Sequence, residues 1–415
     1  MKKRVFLKTF GCRTNVYDSE VMLQNLKDFV IVDDENQADI VVVNSCTVAN
    51  SADSSARNYI SKMNKRGKRV ILAGCGAISK GEKLFKEGKI FGYFGHSEKS
   101  NINRLLKRDE KFSEIGDLKS LDENIVEDFS SRTKAFIKIQ EGCNFRCSYC
   151  IIPFVRGDAR SQDEDKILKQ IESLASNGFG EFVLTGTNIG SYGKDKNSSM
   201  AKLLKRISYI KGVRRVRLGS LEPVQLDSEF HSLLDSPWLE KHLHIALQHT
   251  DEEMLLIMRR RNALKRDLDL FNSIAKRGFA LGTDYIVGHP GESEEIWQRA
   301  LENFKKFPIT HLHAFTYSKR DGTHSSSLKD QVNGTVAKER LKTLEHIVKE
   351  NNFLFRKKFA HVALEVLVED QKGDYQIGYD QFYNRVFIKS EQDLQKEWVH
   401  ISNYEVLEDG NYADF

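Results

Sequence analysis

Residues 135–150 read AFIKIQEGCNFRCSYC, and this stretch decides how the middle of the chain is interpreted. Its apolar start predicts a strand, and its end carries three cysteines, Cys143, Cys147 and Cys150, spaced C-x-x-x-C-x-x-C. Amphipathic segments of helix length separate five further strand-like segments: residues 181–184, 215–218, 242–247, 281–287 and 311–317. Six such units with right-handed crossovers predict an open six-unit α/β barrel over residues 133–359, closed by a helix around 336–359.

The first 115 residues predict a separate domain. Strand-like stretches at residues 5–7, 40–43 and 70–73 alternate with helical patterns, which is typical of a parallel α/β sheet. Asp18 is expected to cap the first helix, and Asp53 or Ser54 to open the second. The charged stretch from 107 to 132 lacks apolar periodicity and predicts a linker between this domain and the barrel.

The last 56 residues change pattern. Short β-rich segments at residues 362–368, 375–379, 385–388 and 398–401 are joined by polar turns. They predict a small all-β domain over residues 360–415.

The composition favours a folded protein of about three domains. The 415 residues are 40% hydrophobic and 30% charged with five prolines, which is an ordinary globular balance. No apolar run reaches the roughly 18 residues that a membrane-spanning helix needs. We therefore expect a cytoplasmic protein without a membrane partner.

Charge is unevenly distributed along the chain. The net charge is +5, yet residues 360–415 hold four Lys/Arg against twelve Asp/Glu, which leaves +13 on residues 1–359. A basic body favours a polyanion such as RNA, although solvated helix faces account for such charge equally well. The acidic tail opposes phosphate contact, unless Lys372, Arg385 and Lys389 form a local basic face.

The cysteines predict a metal site. A reducing compartment and a chain of this size argue against disulfides. Zinc is the simple alternative for Cys143, Cys147 and Cys150, but structural zinc takes four ligands and no fourth Cys or His lies nearby in sequence. A 4Fe–4S cluster fits better, and with three thiolate ligands it leaves one iron open to an exchangeable ligand.

Cys12, Cys46 and Cys75 are far apart in sequence and allow two interpretations. Lone cysteines are most often buried thiols. Here, however, each follows the carboxyl end of a predicted parallel strand, and such ends converge on one crevice. Gly11 and Gly74 precede two of the cysteines and permit close backbone approach. A second three-cysteine site is therefore expected.

These motifs together resemble a known family. C-x-x-x-C-x-x-C after the first strand of a six-unit barrel resembles the radical S-adenosylmethionine (SAM) superfamily, and two three-cysteine sites in this order resemble its methylthiotransferases over essentially the whole chain. Four further segments look like family signatures: residues 151–161, 184–193, 286–292 and 315–323. The wording of residues 140–161 and 185–192 is most similar to the threonylcarbamoyladenosine tRNA branch.

The resemblance implies a set of cofactors and ligands. Two 4Fe–4S clusters would be held, one by Cys12, Cys46 and Cys75 and one by Cys143, Cys147 and Cys150. The barrel cluster would bind and cleave SAM to a 5′-deoxyadenosyl radical, and a second SAM would supply the methyl group. SAM contacts are expected from strand-end and loop residues: Tyr149, Gly186, Thr187, Asn188, Ser220, Glu222 and Gln248. The all-β domain would be TRAM-like.

RNA contacts are expected from basic residues around the barrel. Arg156 and Arg160 follow the cysteine loop, near the mouth where a flipped base would enter. Other basic runs lie at residues 214–217 and 259–266.

The function implied is insertion of a methylthio group at C2 of N6-threonylcarbamoyladenosine in the tRNA anticodon arm, served by an external electron donor and a sulfur source. Isopentenyladenosine in tRNA and a ribosomal-protein aspartate are alternative substrates that use the same six ligands. An alternative of another class is a non-catalytic iron–sulfur protein, either an electron carrier or an RNA-binding sensor. Electron carriers normally keep four protein ligands per cluster, whereas this chain offers six cysteines for two clusters.

Overall fold

The computed structural model describes residues 2–47, 50–122, 125–127, 129 and 132–415. Five residues of the predicted linker, 123, 124, 128, 130 and 131, lie outside this part of the chain. Val126 and Phe129, within the same stretch, are fully buried in the hydrophobic core of the barrel. The end of the predicted linker is thus packed against the barrel.

The N-terminal domain is a six-stranded, fully parallel sheet, as predicted. Its strands are β1 (Arg4–Phe10), β2 (Val30–Ile31), β3 (Ile40–Ser45), β4 (Arg69–Ala73), β5 (Gly92–Phe94) and β6 (Phe112–Glu114). Its helices are α1 (Arg13–Asn25), α2 (Asn50–Lys65), α3 (Cys75–Lys86) and α4 (Ile102–Leu106). The strand order is β2-β1-β3-β4-β5-β6, so β1, β3 and β4 are adjacent and their carboxyl ends lie side by side.

Two expected helix starts in this domain are wrong. Helix α2 begins at Asn50, so Asp53 and Ser54 lie inside it. Helix α1 starts at Arg13 with Cys12 as its N-cap, whereas Asp18 lies inside the helix and is buried. Its carboxylate accepts from Lys138 Nζ at 2.7 Å and from Arg156 Nη2 at 2.9 Å. Asp18 therefore serves a long-range ion network that no local helix signal could reveal.

The middle of the chain forms the predicted six-unit barrel. Its strands are β7 (Ala135–Lys138), β8 (Gln140–Glu141), β9 (Arg160–Ser161), β10 (Glu181–Thr185), β11 (Arg215–Leu218), β12 (His242–His244), β13 (Ala280–Val287) and β14 (His311–Thr316). Its helices are α5 (Ile152–Arg156), α6 (Glu164–Ser176), α7 (Met200–Ile207), α8 (Ser228–His231), α9 (Glu252–Ile257), α10 (Leu264–Ala275), α11 (Glu294–Phe304) and α12 (Gly334–Lys358).

Six of these strands make the barrel wall in chain order. They form two parallel three-stranded sheets, β7-β10-β11 and β12-β13-β14. Parallel bridges join the halves, from Val216 to Leu239 and from Leu221 to Ile245. None of the helices described is both long and apolar enough to cross a membrane.

The C-terminal domain is a six-stranded sheet of β15 (Leu364–Lys372), β16 (Tyr375–Tyr379), β17 (Arg385–Lys389), β18 (Trp398–Ile401), β19 (Glu405–Val406) and β20 (Asn411–Asp414). The order is β18-β15-β16-β17-β20-β19, and β17 and β20 pair in parallel. The sequence analysis identified the first four strands and missed the last two, which are short.

Buried arginines hold this domain on the barrel. Arg215 donates to the carbonyl oxygens of Glu365 at 2.9 Å and Tyr379 at 3.1 Å, and Arg217 donates to that of Asp380 at 2.8 Å. Arg215 and Arg217 are 4% and 1% exposed. Their expected role on an RNA-binding surface is therefore wrong, because both side chains lie inside the domain interface.

Candidate active site

The barrel cysteines lie on one loop that starts directly after β8. Gly142 turns the chain with φ +73°, and a Cβ there would lie 2.0 Å from the carbonyl oxygen of Asp158, so only glycine fits. The Cys143 N–H donates to the Gly157 carbonyl at 3.0 Å, and the Ser148 N–H to that of Met258 at 3.0 Å. Backbone hydrogen bonds thus fix both ends of the cysteine loop.

Two side chains reach sulfur atoms of this loop. Asn188 Nδ2 lies 3.5 Å from Cys143 Sγ, and Arg260 Nη1 lies 3.6 Å from Cys147 Sγ. The Arg260 guanidinium also binds Glu222, with Nη2 2.5 Å from Oε2, and its side chain is 2% exposed. Arg260 belongs to a run that we expected to contact RNA, but burial against the cysteine loop excludes that role.

A cavity of about 330 Å³ opens above these cysteines. Six of the seven expected SAM contacts line it: Tyr149, Thr187, Asn188, Ser220, Glu222 and Gln248. Thr187 Oγ1, Asn188 Oδ1, Tyr317 Oη and Ser318 Oγ are buried without a partner among the described residues. Such atoms fit a bound polar ligand, as the amino and carboxylate groups of a methionine moiety would be.

Gly186, the seventh expected contact, lines a neighbouring cavity instead, next to Cys12. A Cβ on Gly186 would lie 2.7 Å from the carbonyl oxygen of Gln140, so the glycine permits close packing of two strand ends. Gly186 therefore does not line the cavity above the barrel cysteines. Ser220, at the adjacent strand end, lines both cavities.

Several cavity residues were absent from the predicted SAM contacts. They are Arg260, Asp284, Tyr317 and Ser318. Asp284 accepts from Ser220 Oγ at 2.8 Å. It lies in the middle of β13, so a search for polar residues at strand ends could not find it. Tyr317 and Ser318 directly follow β14, and the strand-end rule that predicted Ser220 would have found them too.

The other three cysteines lie together at the carboxyl ends of three adjacent strands of the N-terminal sheet, as expected. Cys12 follows β1, Cys46 follows β3 and Cys75 begins α3 after β4. Gly11, with φ +130°, is required there because a Cβ would lie 2.3 Å from the Cβ of Cys46. The six cysteines of the chain thus divide into two sites of three, and neither site has a fourth thiol.

The thiols differ in acidity. A hydrogen bond with Cys46 and the positive charge of Arg156 lower the pKa of Cys12 to about 6. Burial raises the pKa of Cys75 and of Cys143, and raises that of Cys150 to about 12. A bound metal would offset the cost of ionising Cys75, Cys143 and Cys150, and three soft thiolate donors fit an iron–sulfur cluster in each site.

Arg156 lies behind the N-terminal cysteines, not on the surface. It is 1% exposed, and its Nε lies 3.0 Å from Cys75 Sγ. Nη1 donates to Glu141 at 2.5 Å and Nη2 to Asp18 at 2.9 Å. The expected RNA contact by Arg156 is therefore wrong, because every nitrogen of its guanidinium is bound inside the protein.

Arg160, the second expected RNA contact, is half-buried. Its guanidinium donates to the carbonyl oxygens of Ser120, Arg156 and Asp158 at 2.9 Å each. These bonds tie the interdomain segment to the cysteine loop. RNA binding by Arg160 stays a prediction, and it would require those bonds to be shared or exchanged.

Comparison with known proteins identifies the family. Residues 4–95 match the model described as "Uncharacterized protein family UPF0004", and residues 137–304 match the radical SAM superfamily. A Helicobacter pylori (strain J99) protein named "Putative methylthiotransferase" is 48% identical over the whole of both chains. The threonylcarbamoyladenosine tRNA methylthiotransferase MtaB of Bacillus subtilis is 33% identical, covering 94% of this chain and 91% of its own.

A second type of relative and a solved structure complete the comparison. The tRNA-2-methylthio-N(6)-dimethylallyladenosine synthase of Fervidobacterium nodosum is 34% identical, covering 89% of this chain and 88% of its own. The fold resembles that of the radical SAM methyltransferase TsrM of Kitasatospora setae, at 15% identity and a TM-score of 0.61, covering 79% of this chain and 77% of that one. The chain belongs to the methylthiotransferase family of radical SAM enzymes.

Proposed function

We propose that this enzyme adds a methylthio group to C2 of N6-threonylcarbamoyladenosine beside the anticodon of tRNA. The observation that carries the proposal is that the two cavities adjoin. Ser220, Asp284 and Phe315 line both, the barrel cysteines line the first, and Cys12 lines the second. The two cavities therefore join the space beside the barrel cysteines to the space beside Cys12.

The barrel site is suited to hold SAM. Cys143, Cys147 and Cys150 would hold a 4Fe–4S cluster, which would supply the electron for reductive cleavage of SAM. Thr187 and Asn188 offer unpaired buried oxygens to the methionine end, and the paired Glu222 and Arg260 fix the opposite wall. The protein thus orients SAM with preformed polar groups, which lowers the entropic cost of reaction.

The N-terminal site is suited to a second 4Fe–4S cluster on Cys12, Cys46 and Cys75, whose open position would carry the transferred sulfur. Arg156 supplies a fixed positive charge against Cys75, and this lowers the electrostatic cost of gathering three thiolates. An external electron donor and a sulfur source complete the requirements. An enzyme with a tRNA substrate would meet it in the cytoplasm, where we expect this protein to act.

Relatives named for two tRNA nucleosides match at similar identity, so nucleoside analysis provides the test. Bulk tRNA from a strain lacking this gene should lose 2-methylthio-N6-threonylcarbamoyladenosine and accumulate its unmethylthiolated precursor, as measured by mass spectrometry. The anaerobically reconstituted enzyme should restore the product on that tRNA. Loss of the methylthio-isopentenyl nucleoside alone would contradict the proposal and assign the other substrate.

A further inference from the structure

The second cavity, of about 460 Å³, is built by all three domains. The N-terminal domain supplies Cys12 and Arg13, the barrel supplies the ends of β11 to β14, and the C-terminal domain supplies Tyr383. Because this cavity adjoins the first one, a ligand that reaches the junction can extend into it. Its wall therefore decides which ligand extensions fit.

Four imidazoles form one side of this cavity. His242 and His244 alternate on β12, as His311 and His313 do on β14, so all four face inward. The ring centroids of His242 and His311 lie 4.7 Å apart, as do those of His244 and His313. Gly282 on the strand between makes the room, since a Cβ there would lie 2.6 Å from His244 Nδ1.

The two deeper imidazoles, His242 and His311, are neutral, and His242 is incompletely bonded. Burial lowers the pKa of His242 well below its ordinary value and that of His311 to about 3. His242 Nε2 is buried and has no hydrogen-bond partner among the described residues. A neutral imidazole offers one N–H donor and one acceptor, so this wall is prepared for a polar group.

Tyr383 closes the cavity from the C-terminal domain in an unusual conformation. Its φ of +64° is uncommon for a bulky residue, and such conformations are concentrated at ligand sites. Its ring stacks on His242 with centroids 5.2 Å apart, and its hydroxyl accepts from Arg13 Nη2 at 3.1 Å. The turn thereby orients the Arg13 guanidinium along the cavity wall.

Two cations, Arg13 and Arg217, line this cavity together with the carboxylates of Glu240 and Asp284. Arg217 is neutralised by Glu181 and Glu240. In the part of the chain that the structure describes, Arg13 forms no ion pair with a carboxylate, although it lines the cavity. An arginine held by a tyrosine, with the unpaired Nε2 of His242 nearby, is an arrangement that recognises an anion when that nitrogen carries the proton.

We propose that the second cavity receives the N6 substituent of the target adenine and that Arg13 binds a carboxylate on that substituent. The inference rests on the proposed function and extends it to a specificity-determining residue. A threonylcarbamoyl group carries such a carboxylate. A dimethylallyl group would leave the guanidinium without an anionic partner and His242 Nε2 without a hydrogen bond, which disfavours that group.

The test uses anticodon stem-loop RNA carrying either N6-threonylcarbamoyladenosine or its carboxyl methyl ester. The reconstituted full-length enzyme should bind the acid about tenfold to a hundredfold more tightly than the ester, as measured by fluorescence anisotropy at one stated salt concentration. Arg13→Gln should abolish that preference, so that the variant binds the acid RNA and the ester RNA with equal affinity. Arg277→Gln, an exposed arginine paired with Asp235, serves as the control and should keep the full preference.

Equal binding of acid and ester by the wild-type enzyme would overturn the inference, and this comparison does not depend on any variant folding. A preference that persists in Arg13→Gln, with iron content unchanged, would also overturn it. The proposed function fails separately. It is excluded if the wild-type enzyme methylthiolates isopentenyladenosine RNA and leaves threonylcarbamoyladenosine RNA unreacted, whereas product formation with equal acid and ester binding removes only the role of Arg13.

Discussion

The two three-cysteine sites use similar contacts in different surroundings. Each has an arginine N–H directed at one sulfur: Arg156 lies 3.0 Å from Cys75 and Arg260 lies 3.6 Å from Cys147. The N-terminal cysteines come from three strands and are backed by buried charge. The barrel cysteines come from one loop and face a cavity.

The two sites differ in the charged and polar groups that surround their cysteines. Lys138 bridges three buried carboxylates, Asp18, Asp122 and Glu141, behind the N-terminal cysteines, and Arg156 joins two of the three. Buried charges of this kind hold the back of the site rigid, since each charge would be costly to expose. The barrel loop has unpaired polar atoms beside it, as a site that binds and releases a small molecule requires.

The largest effect is expected from replacing Cys143, Cys147 and Cys150 with alanine. The variant should lose about four of about eight irons and all SAM cleavage, because no site would remain to hold the methionine end. Iron analysis and chromatography of 5′-deoxyadenosine after reduction provide the measurements. Continued formation of 5′-deoxyadenosine would show that the SAM site lies elsewhere.

Replacing Cys12, Cys46 and Cys75 with alanine should separate the two half-reactions. Iron should again fall by about half, but SAM cleavage should remain within about twofold of the wild type, because the barrel cluster stays in place. The methylthio nucleoside should disappear. Full product formation by this variant would mean that these cysteines are ordinary buried thiols.

Arg156→Gln should destabilise the apo protein by about 3 kcal/mol, because it leaves Asp18 and Glu141 buried with one cation fewer. Arg277→Gln, which breaks an exposed pair with Asp235, should change stability by less than about 1 kcal/mol. Urea unfolding followed by circular dichroism measures both. Equal stability of the two variants would contradict the expectation that the ion pairs of Arg156 are buried and costly to break.

The smallest effect concerns a matched pair of asparagines. Asn188→Ala should raise the KM for SAM about fivefold to tenfold, the loss of one or two hydrogen bonds, with iron content unchanged. Asn15, which accepts from Cys12 Sγ at 3.4 Å, occupies the corresponding place in the N-terminal site. Asn15→Ala should leave that KM unaltered in a SAM-cleavage assay. A similar increase in the KM for SAM in both variants would contradict the assignment of SAM binding to the barrel site.

Periodicity and spacing predicted the architecture well. Strand–helix alternation identified the parallel N-terminal sheet and the six barrel strands. The rule that parallel strand ends face a common crevice predicted where Ser220, Gln248 and the cysteines lie. These are local signals, because a strand end is visible in a few consecutive residues.

The charged residues were predicted poorly. Arg156, Arg217 and Arg260 resembled surface arginines because basic runs are usually solvated. Their carboxylate partners are far away in sequence: Asp18 precedes Arg156 by 138 residues and Glu222 precedes Arg260 by 38. Only tertiary structure brings such pairs together, so composition could not distinguish a buried arginine from an exposed one.

The position of Arg156 has a consequence for biogenesis. The residue belongs to helix α5, six positions after Cys150, yet it completes the electrostatic wall of a site whose cysteines all lie within the first 75 residues. An isolated N-terminal domain would contain all three cysteines of this site and would lack the Arg156 guanidinium. The electrostatic surroundings of these three cysteines are therefore complete only after residues beyond Cys150 have been synthesised and have packed against the N-terminal domain.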